Sequence, residues 1–296
     1  MNKKIAIHIG YHKTGTTFLN SKFFSQHTQI EHKGKPYSLD SPIRELIERV
    51  MGDREYNLDR CIYLYKKYVK PSKSGLVTIS DGRIVSQKFN KDVSVVARRF
   101  KEVMGDNVRF VVVLRNQEDY VKSKYIQHVG TKGVRENIDT WFADNWRAGE
   151  MLSSELNYNS RISPYIEYFG KENVGIFLYE ELKENLDEFE KKLCKFLGIK
   201  SGLLSSKGRG DDPVNKRMTK LHYILLQNKT MSFFAKKLSE FLPKKFYKYI
   251  FSKFSRAEPR LSEENLITLQ ELASKTNTSL SDKNQATLKR YGYFMN

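Results

Sequence analysis

At 296 residues, with 39% hydrophobic and 12% aromatic side chains, the chain can build one large core or two small ones, so disorder is not the default. The net charge of +18 calls for an anionic partner or surface, and fifteen Lys/Arg against four Asp/Glu between residues 200 and 260 concentrate it in one segment. Two distant cysteines, Cys61 and Cys194, fit no metal or redox spacing, no run reaches the ~18 apolar residues of a membrane span, and no signal-peptide core opens the chain.

In chain order, Ile5-Ala6-Ile7-His8-Ile9 reads as a buried strand. Gly10 and Gly15 then bracket a turn containing Lys13, and Thr16 and Thr17 lead into a helix that packs Phe18, Leu19, Phe23 and Phe24. Strand, glycine turn and helix start together make an anion cradle, because unpaired backbone N–H groups and the positive helix end converge on one spot. The nucleoside-triphosphate loop shares this glycine spacing but places its lysine after the second glycine. Here Thr16 stands at that place, and Lys13 is the lysine of the loop.

Ser41-Pro42 caps a helix carrying Ile43, Leu46, Ile47 and Val50, and a second amphipathic helix runs from Leu58 to Val69. Residues 75–80 form the next strand, ending at Asp81-Gly82, and Val93 to Met104 another helix, closed by Gly105. Val108–Leu114 is apolar enough for the centre of a parallel sheet and delivers Arg115 to its carboxyl end, where Asn116 can cap the following helix. A helix stopped by Gly170, a strand from Val174 to Tyr179 and a helix stopped by Gly198 complete an alternation that predicts an α/β fold with a parallel, doubly wound sheet. Residues 201–214 read as a loop or lid, and the rest as basic and helical, with a last clear helix from about Ser262 to Lys275. The whole chain, 1–296, is expected to be a single domain with its core in 1–200 and an appendage in 201–296.

Lys13-Thr14-Gly15-Thr16-Thr17 resembles the phosphate loop of the sulfotransferases that use 3′-phosphoadenylyl sulfate (PAPS). Arg115, followed eight residues later by Ser123, resembles that family's grip on the 3′-phosphate, although Gln117 stands where many members have proline. Phe177-Leu178-Tyr179-Glu180-Glu181-Leu182, Phe196-Leu197-Gly198, Val214-Asn215 and, more faintly, Tyr291-Gly292-Tyr293 are similar to further family segments. The resemblance implies a P-loop-like fold with a central parallel sheet flanked by helices, PAPS as donor, adenosine 3′,5′-bisphosphate (PAP) as product, and no requirement for a metal.

It also implies roles. His12, Lys13, Thr14, Gly15, Thr16 and Thr17 would hold the 5′-phosphate, with Lys13 neutralising charge on the bridging oxygen. Arg115 and Ser123 would hold the 3′-phosphate, and Arg209 in Lys207-Gly208-Arg209-Gly210 would close over it. The general base is expected at Asp81 by position, where many bacterial members carry glutamate; His12 and His128 are the alternatives.

The acceptor is expected to be a hydroxyl, or an amine, on a glycan or glycolipid, and the enzyme bacterial and cytoplasmic. No zinc-finger, RNP-like or basic heptad pattern supports nucleic acid. The basic-aromatic stretch from Phe233 to Phe254 reads either as a face for an anionic membrane surface, which would place the protein peripherally at the inner membrane, or as helices packed on the core. Two other classes stay open: a magnesium-dependent P-loop kinase or NTPase, and a non-catalytic basic module for membranes or polyanions.

Overall fold

The computed structural model describes residues 4–34, 37–70, 75–85, 92–147, 151–202, 223, 258–280 and 285–295. Arg209, Val214-Asn215 and the 233–254 stretch lie outside them. The described residues group into two compact units, one within Met1–Arg115, Asn157–Val214 and Ser279–Asn284, the other within Asn116–Leu156, Asn215–Thr278 and Gln285–Asn296.

The first unit is built on five strands: β1 (Lys4–His8), β2 (Ile30–His32), β3 (Leu76–Ser80), β4 (Val108–Leu114) and β5 (Val174–Leu178). Their order is β2-β3-β1-β4-β5, and every pairing is parallel. β1 lies opposite β3 with Ile5 at Val77 and His8 at Ser80, and opposite β4 with Ile5 at Val108. The chain fills one side of β1 with β2 and β3 and then crosses to the other with β4 and β5. That reversal puts the topological switch at the carboxyl end of β1, where open parallel sheets bind ligands. The short strand β2 was not foreseen, because three residues with a charge in the middle carry no readable period.

The sheet is buried on both faces, which is why its central strands read as continuous β-branched runs and not as alternations. On one face α1 (Thr16–Phe18, continued as a π-helical turn over Leu19–Phe24) and α10 (Leu186–Leu197) close over Phe177 and Val111, with Leu19, Phe23, Phe24, Phe189 and Leu193 buried. On the other, α4 (Val93–Met104) and α8 (Tyr158–Phe169) meet Phe110, whose ring lies 4.7 Å from Tyr165, 4.6 Å from Phe169 and 5.8 Å from Phe100. Helices α2 (Pro42–Met51) and α3 (Leu58–Leu64) pack beside α4. Ser41 caps α2 as the sequence predicts, accepting from the Arg44 N–H at 3.5 Å with Pro42 in the first turn, and Gly52 ends it in the left-handed region.

The second unit contains α5 (Gln117–Lys132), α6 (Ile138–Arg147), α7 (Met151–Leu156), most of α11 (Glu263–Leu280) and α12 (Gln285–Arg290). Residues 116–156 thus group with the C-terminal helices although they precede residue 200. Asn116 caps α5 by accepting from the Asp119 N–H at 3.2 Å, and its amide donates to the Gly292 carbonyl at 2.7 Å. Gln117, standing in the family's proline place, is buried and exchanges amide hydrogen bonds with Asn277 at 2.8 and 3.1 Å. Proline lacks an N–H as well as this amide; the exchange explains why glutamine suits the first turn of α5 here.

Candidate active site

Residues 9–15 leave the tip of β1 and turn back into α1. Lys13 takes a left-handed conformation at φ 65°, uncommon for a side-chain-bearing residue, and Gly15 follows at φ 83° as the helix N-cap. Two hydroxyls close the turn on itself: Thr14 donates to the Tyr11 carbonyl at 2.7 Å and Thr16 to the same oxygen at 3.0 Å. Their hydrogens are thereby committed to the loop, so Thr14 and Thr16 shape the cradle instead of donating hydroxyls to an anion. The donors that helix geometry leaves without an intrahelical carbonyl are the N–H groups of Thr16, Thr17 and Phe18. The Thr17 side chain is exposed.

The loop is packed tightly from below. A Cβ at Gly10 would come within 2.2 Å of His8 Nε2, so glycine is required by the buried imidazole beneath it. His8 Nδ1 pairs with Ser80 Oγ at 2.8 Å, while among the described residues its buried Nε2 finds no hydrogen-bond partner. Burial, and secondarily His32, pull its pKa down to about 3, so the ring is neutral. A Cβ at Gly15 would meet Leu182 Cδ2 at 2.6 Å and Tyr179 Cδ2 at 3.4 Å, residues of α9 (Tyr179–Glu184).

The tip of β4 arrives beside this loop. Arg115 is buried; one guanidinium N–H donates to the Lys13 carbonyl at 3.2 Å, and the guanidinium carbon lies 5.0 Å from the Tyr179 ring centre. Two residues a hundred positions apart, singled out separately in the sequence, are therefore in direct contact. Tyr158 donates its hydroxyl to the Arg115 carbonyl at 2.6 Å and sets its ring edge-on to Tyr11 at 4.9 Å. Sequence reasoning gave no role to Tyr11, within the glycine loop, or to Tyr158, which stands in no motif. Ser123 is half-buried on α5, in the second unit.

At the tip of β3, Asp81 is fully buried and its backbone N–H donates to the His8 carbonyl at 3.1 Å. Its carboxylate accepts from Arg83 through Nε at 3.1 Å to each oxygen and through Nη2 at 2.7 Å. Arg83 also reaches Glu48 at 3.3 Å, and these two carboxylates raise its own pKa further. The expected base is thus a carboxylate whose lone pairs are largely taken up by a guanidinium. His12, by contrast, is exposed and sits against the same turn: a Cβ at Gly82 would lie 2.9 Å from the Gly10 carbonyl and 3.7 Å from His12 Cε1. His128 lies in the second unit, buried, with Nδ1 accepting from the Trp141 indole at 3.1 Å. Its proton therefore sits on Nε2. Burial, followed by the charges of Lys132 and Lys124, lowers its pKa to about 4.

A cavity of about 370 Å³ lies in the first unit, walled by Tyr37, Tyr68, Ser38, Ser41 and Ile43. Tyr37 connects it to the β3 tip, its hydroxyl donating to the Ser80 carbonyl at 3.4 Å. Burial, then the Asp81 charge, hold that phenol well above its ordinary pKa.

The family model of the sulfotransferase domain matches residues 4–265. A sulfotransferase from Alicyclobacillus acidocaldarius is 17% identical, with 85% of this chain and 97% of that one covered at a TM-score of 0.52. Mouse sulfotransferase SULT7A1, solved in complex with PAP, is 13% identical over 98% of this chain and 88% of that one, at a TM-score of 0.51. At such identities these two structures show the shared fold. No curated protein matches the chain.

Proposed function

This chain belongs to the sulfotransferase domain family, and we propose that it moves the sulfuryl group of PAPS to a hydroxyl of a glycan or glycolipid. It is a PAPS-dependent sulfotransferase, with PAP as the product. The observation that supports this reading of the site is the 3.2 Å contact between Arg115 and the Lys13 carbonyl, which sets the residue ending β4 beside the loop that follows β1. The residues fit a bisphosphate: a left-handed loop on a helix start for one anion and a buried guanidinium for the other.

In this reading the N–H groups at the start of α1, together with Thr17, hold the 5′-phosphate, while Thr14 and Thr16 keep the loop in shape. Lys13 neutralises the charge that grows on the bridging oxygen as the sulfuryl group leaves. Arg115 grips the 3′-phosphate; Ser123 and Arg209 join it on the strength of the sequence resemblance alone. PAPS supplies the activated sulfuryl group. The acceptor hydroxyl must lose a proton, and His12 is better placed to take it than Asp81, whose carboxylate holds Arg83 and fixes the β3 turn. His128 is left out of this chemistry because its lone pair already accepts from Trp141.

A glycan acceptor is supported by the cavity beside Tyr37, where aromatic faces suit the C–H side of a sugar ring and serine hydroxyls its O–H side. The charge of +18 supports action at an anionic surface, such as the inner face of a bacterial membrane bearing a glycolipid.

Calorimetry with PAP and with ATP plus magnesium tests the nucleotide reading, and transfer of labelled sulfuryl to a glycan panel tests the acceptor. PAP binding without ATP binding is the expected result; magnesium-dependent ATP binding would return the chain to the kinase class. For the base, His12→Ala should abolish most of the turnover and Asp81→Asn much less; the reverse ranking would restore Asp81.

A further inference from the structure

We infer that Tyr158 is a positioning residue for the nucleotide's 3′-phosphate, acting through Arg115; the inference rests on the reading of Arg115 given above. Arg115 is the first residue beyond β4, past the last paired position, Leu114. Its carbonyl no longer belongs to the sheet ladder, yet the residue is buried, and a buried carbonyl requires a partner. That partner is the Tyr158 hydroxyl at 2.6 Å. Tyr158 is itself fully buried at the first position of α8, and the helix start is fixed by Asn157, which accepts from the Ser160 N–H at 3.2 Å.

The same side chain reaches the other strand tip. Its ring meets Tyr11 edge-on at 4.9 Å, and the Tyr11 carbonyl is the oxygen on which the Thr14 and Thr16 hydroxyls converge. The Arg115 guanidinium then returns to the Lys13 carbonyl. A closed circuit results, running from Tyr158 through the backbone of Arg115, its guanidinium, the phosphate loop and Tyr11 back to Tyr158. Two parts of the tyrosine have separable tasks. The ring supports the loop, and phenylalanine would do that equally well; the hydroxyl orients the backbone from which the Arg115 side chain departs. Losing the hydroxyl should therefore blunt recognition of the 3′-phosphate and leave the 5′-phosphate cradle intact.

The test is Tyr158→Phe in the full chain, with dissociation constants for PAP and for adenosine 5′-monophosphate, which lacks the 3′-phosphate, measured by calorimetry alongside the melting temperature. The expected result is PAP binding weakened about tenfold, the size of one well-placed hydrogen bond, with monophosphate binding changed less than about twofold. KM for PAPS should rise in parallel while kcat holds. A variant that loses stability but keeps the wild-type ratio of PAP to monophosphate affinity overturns the inference, as does equal weakening of both ligands. Wild-type protein that fails to prefer PAP over the monophosphate would overturn the reading of Arg115 itself, a result visible before any substitution is made.

Discussion

Gly10→Ala isolates one physical cause. Gly10 is not among the glycines with a left-handed φ, so the backbone permits alanine; only the neighbouring atoms object. The added methyl would stand 2.2 Å from His8 Nε2 and 2.5 Å from Cε1, against a comfortable separation of about 3.5 Å. Relief needs a shift of about 1 Å. The imidazole cannot readily supply it, being held to Ser80 Oγ at 2.8 Å and enclosed beside Phe24 at 5.9 Å. The loop must lift instead. Overpacking of this kind costs about 1–3 kcal/mol, and at about 2–4 °C per kcal/mol the melting temperature should fall by several degrees. A loop displaced by about 1 Å should also weaken PAP binding about tenfold or more, by the sensitivity of positioned groups to such shifts. The decisive assay is a double-mutant cycle: in a His8→Ala background the methyl has room, and Gly10→Ala should cost less than about 0.5 kcal/mol in urea titrations. An equal cost in both backgrounds would refute the steric account.

Lys13→Ala should lower kcat by roughly 10²–10³, the loss typical of a group that stabilises developing charge, while PAP affinity changes less than about tenfold; equal losses in both would make Lys13 an ordinary binding residue. Arg83→Ala should destabilise the fold by about 3–5 kcal/mol, because the fully buried Asp81 carboxylate would lose its main counter-ion; adding Asp81→Asn should recover much of that, and a neutral single variant would refute the pairing. His8 makes acid destabilising. Its folded-state pKa of about 3 lies below the ordinary 6.5, so the unfolded chain takes up the proton first. Stability is full above about pH 6.5 and falls towards pH 3 by about 1.4 kcal/mol per unit from this group. Urea midpoints between pH 7 and 4 should fall less steeply in His8→Gln, and parallel slopes would contradict the assignment.

Much of the candidate site's local frame was legible because its parts are contiguous in the chain. A strand, a glycine turn and a helix start are contiguous, so Lys13, Gly15 and the β1–α1 loop could be read directly from residues 5–19. Arg115 was readable as the residue that a long apolar strand carries to its tip. The helix stops at Gly105, Gly170 and Gly198 were readable for the same reason, since left-handed or otherwise positive φ favours glycine whatever lies around it. Helix α6 was passed over although Ile138, Trp141 and Phe142 stand at helical spacing and are buried, and α7, six residues long, is too short to show a period.

What the chain by itself determined is therefore the parts: parallel strands from β-branched runs, helix ends from caps and glycines, and an anion cradle from one loop. Folding decided how they are used. Sheet order brought Arg115 to the Lys13 carbonyl, set an imidazole under Gly10, turned the Thr14 and Thr16 hydroxyls inwards, tied Asp81 to Arg83 and placed Tyr158 beneath both tips. None of these contacts has a sequence period, because each joins residues whose nearness depends on strand pairing and on what burial leaves for a polar atom to bond.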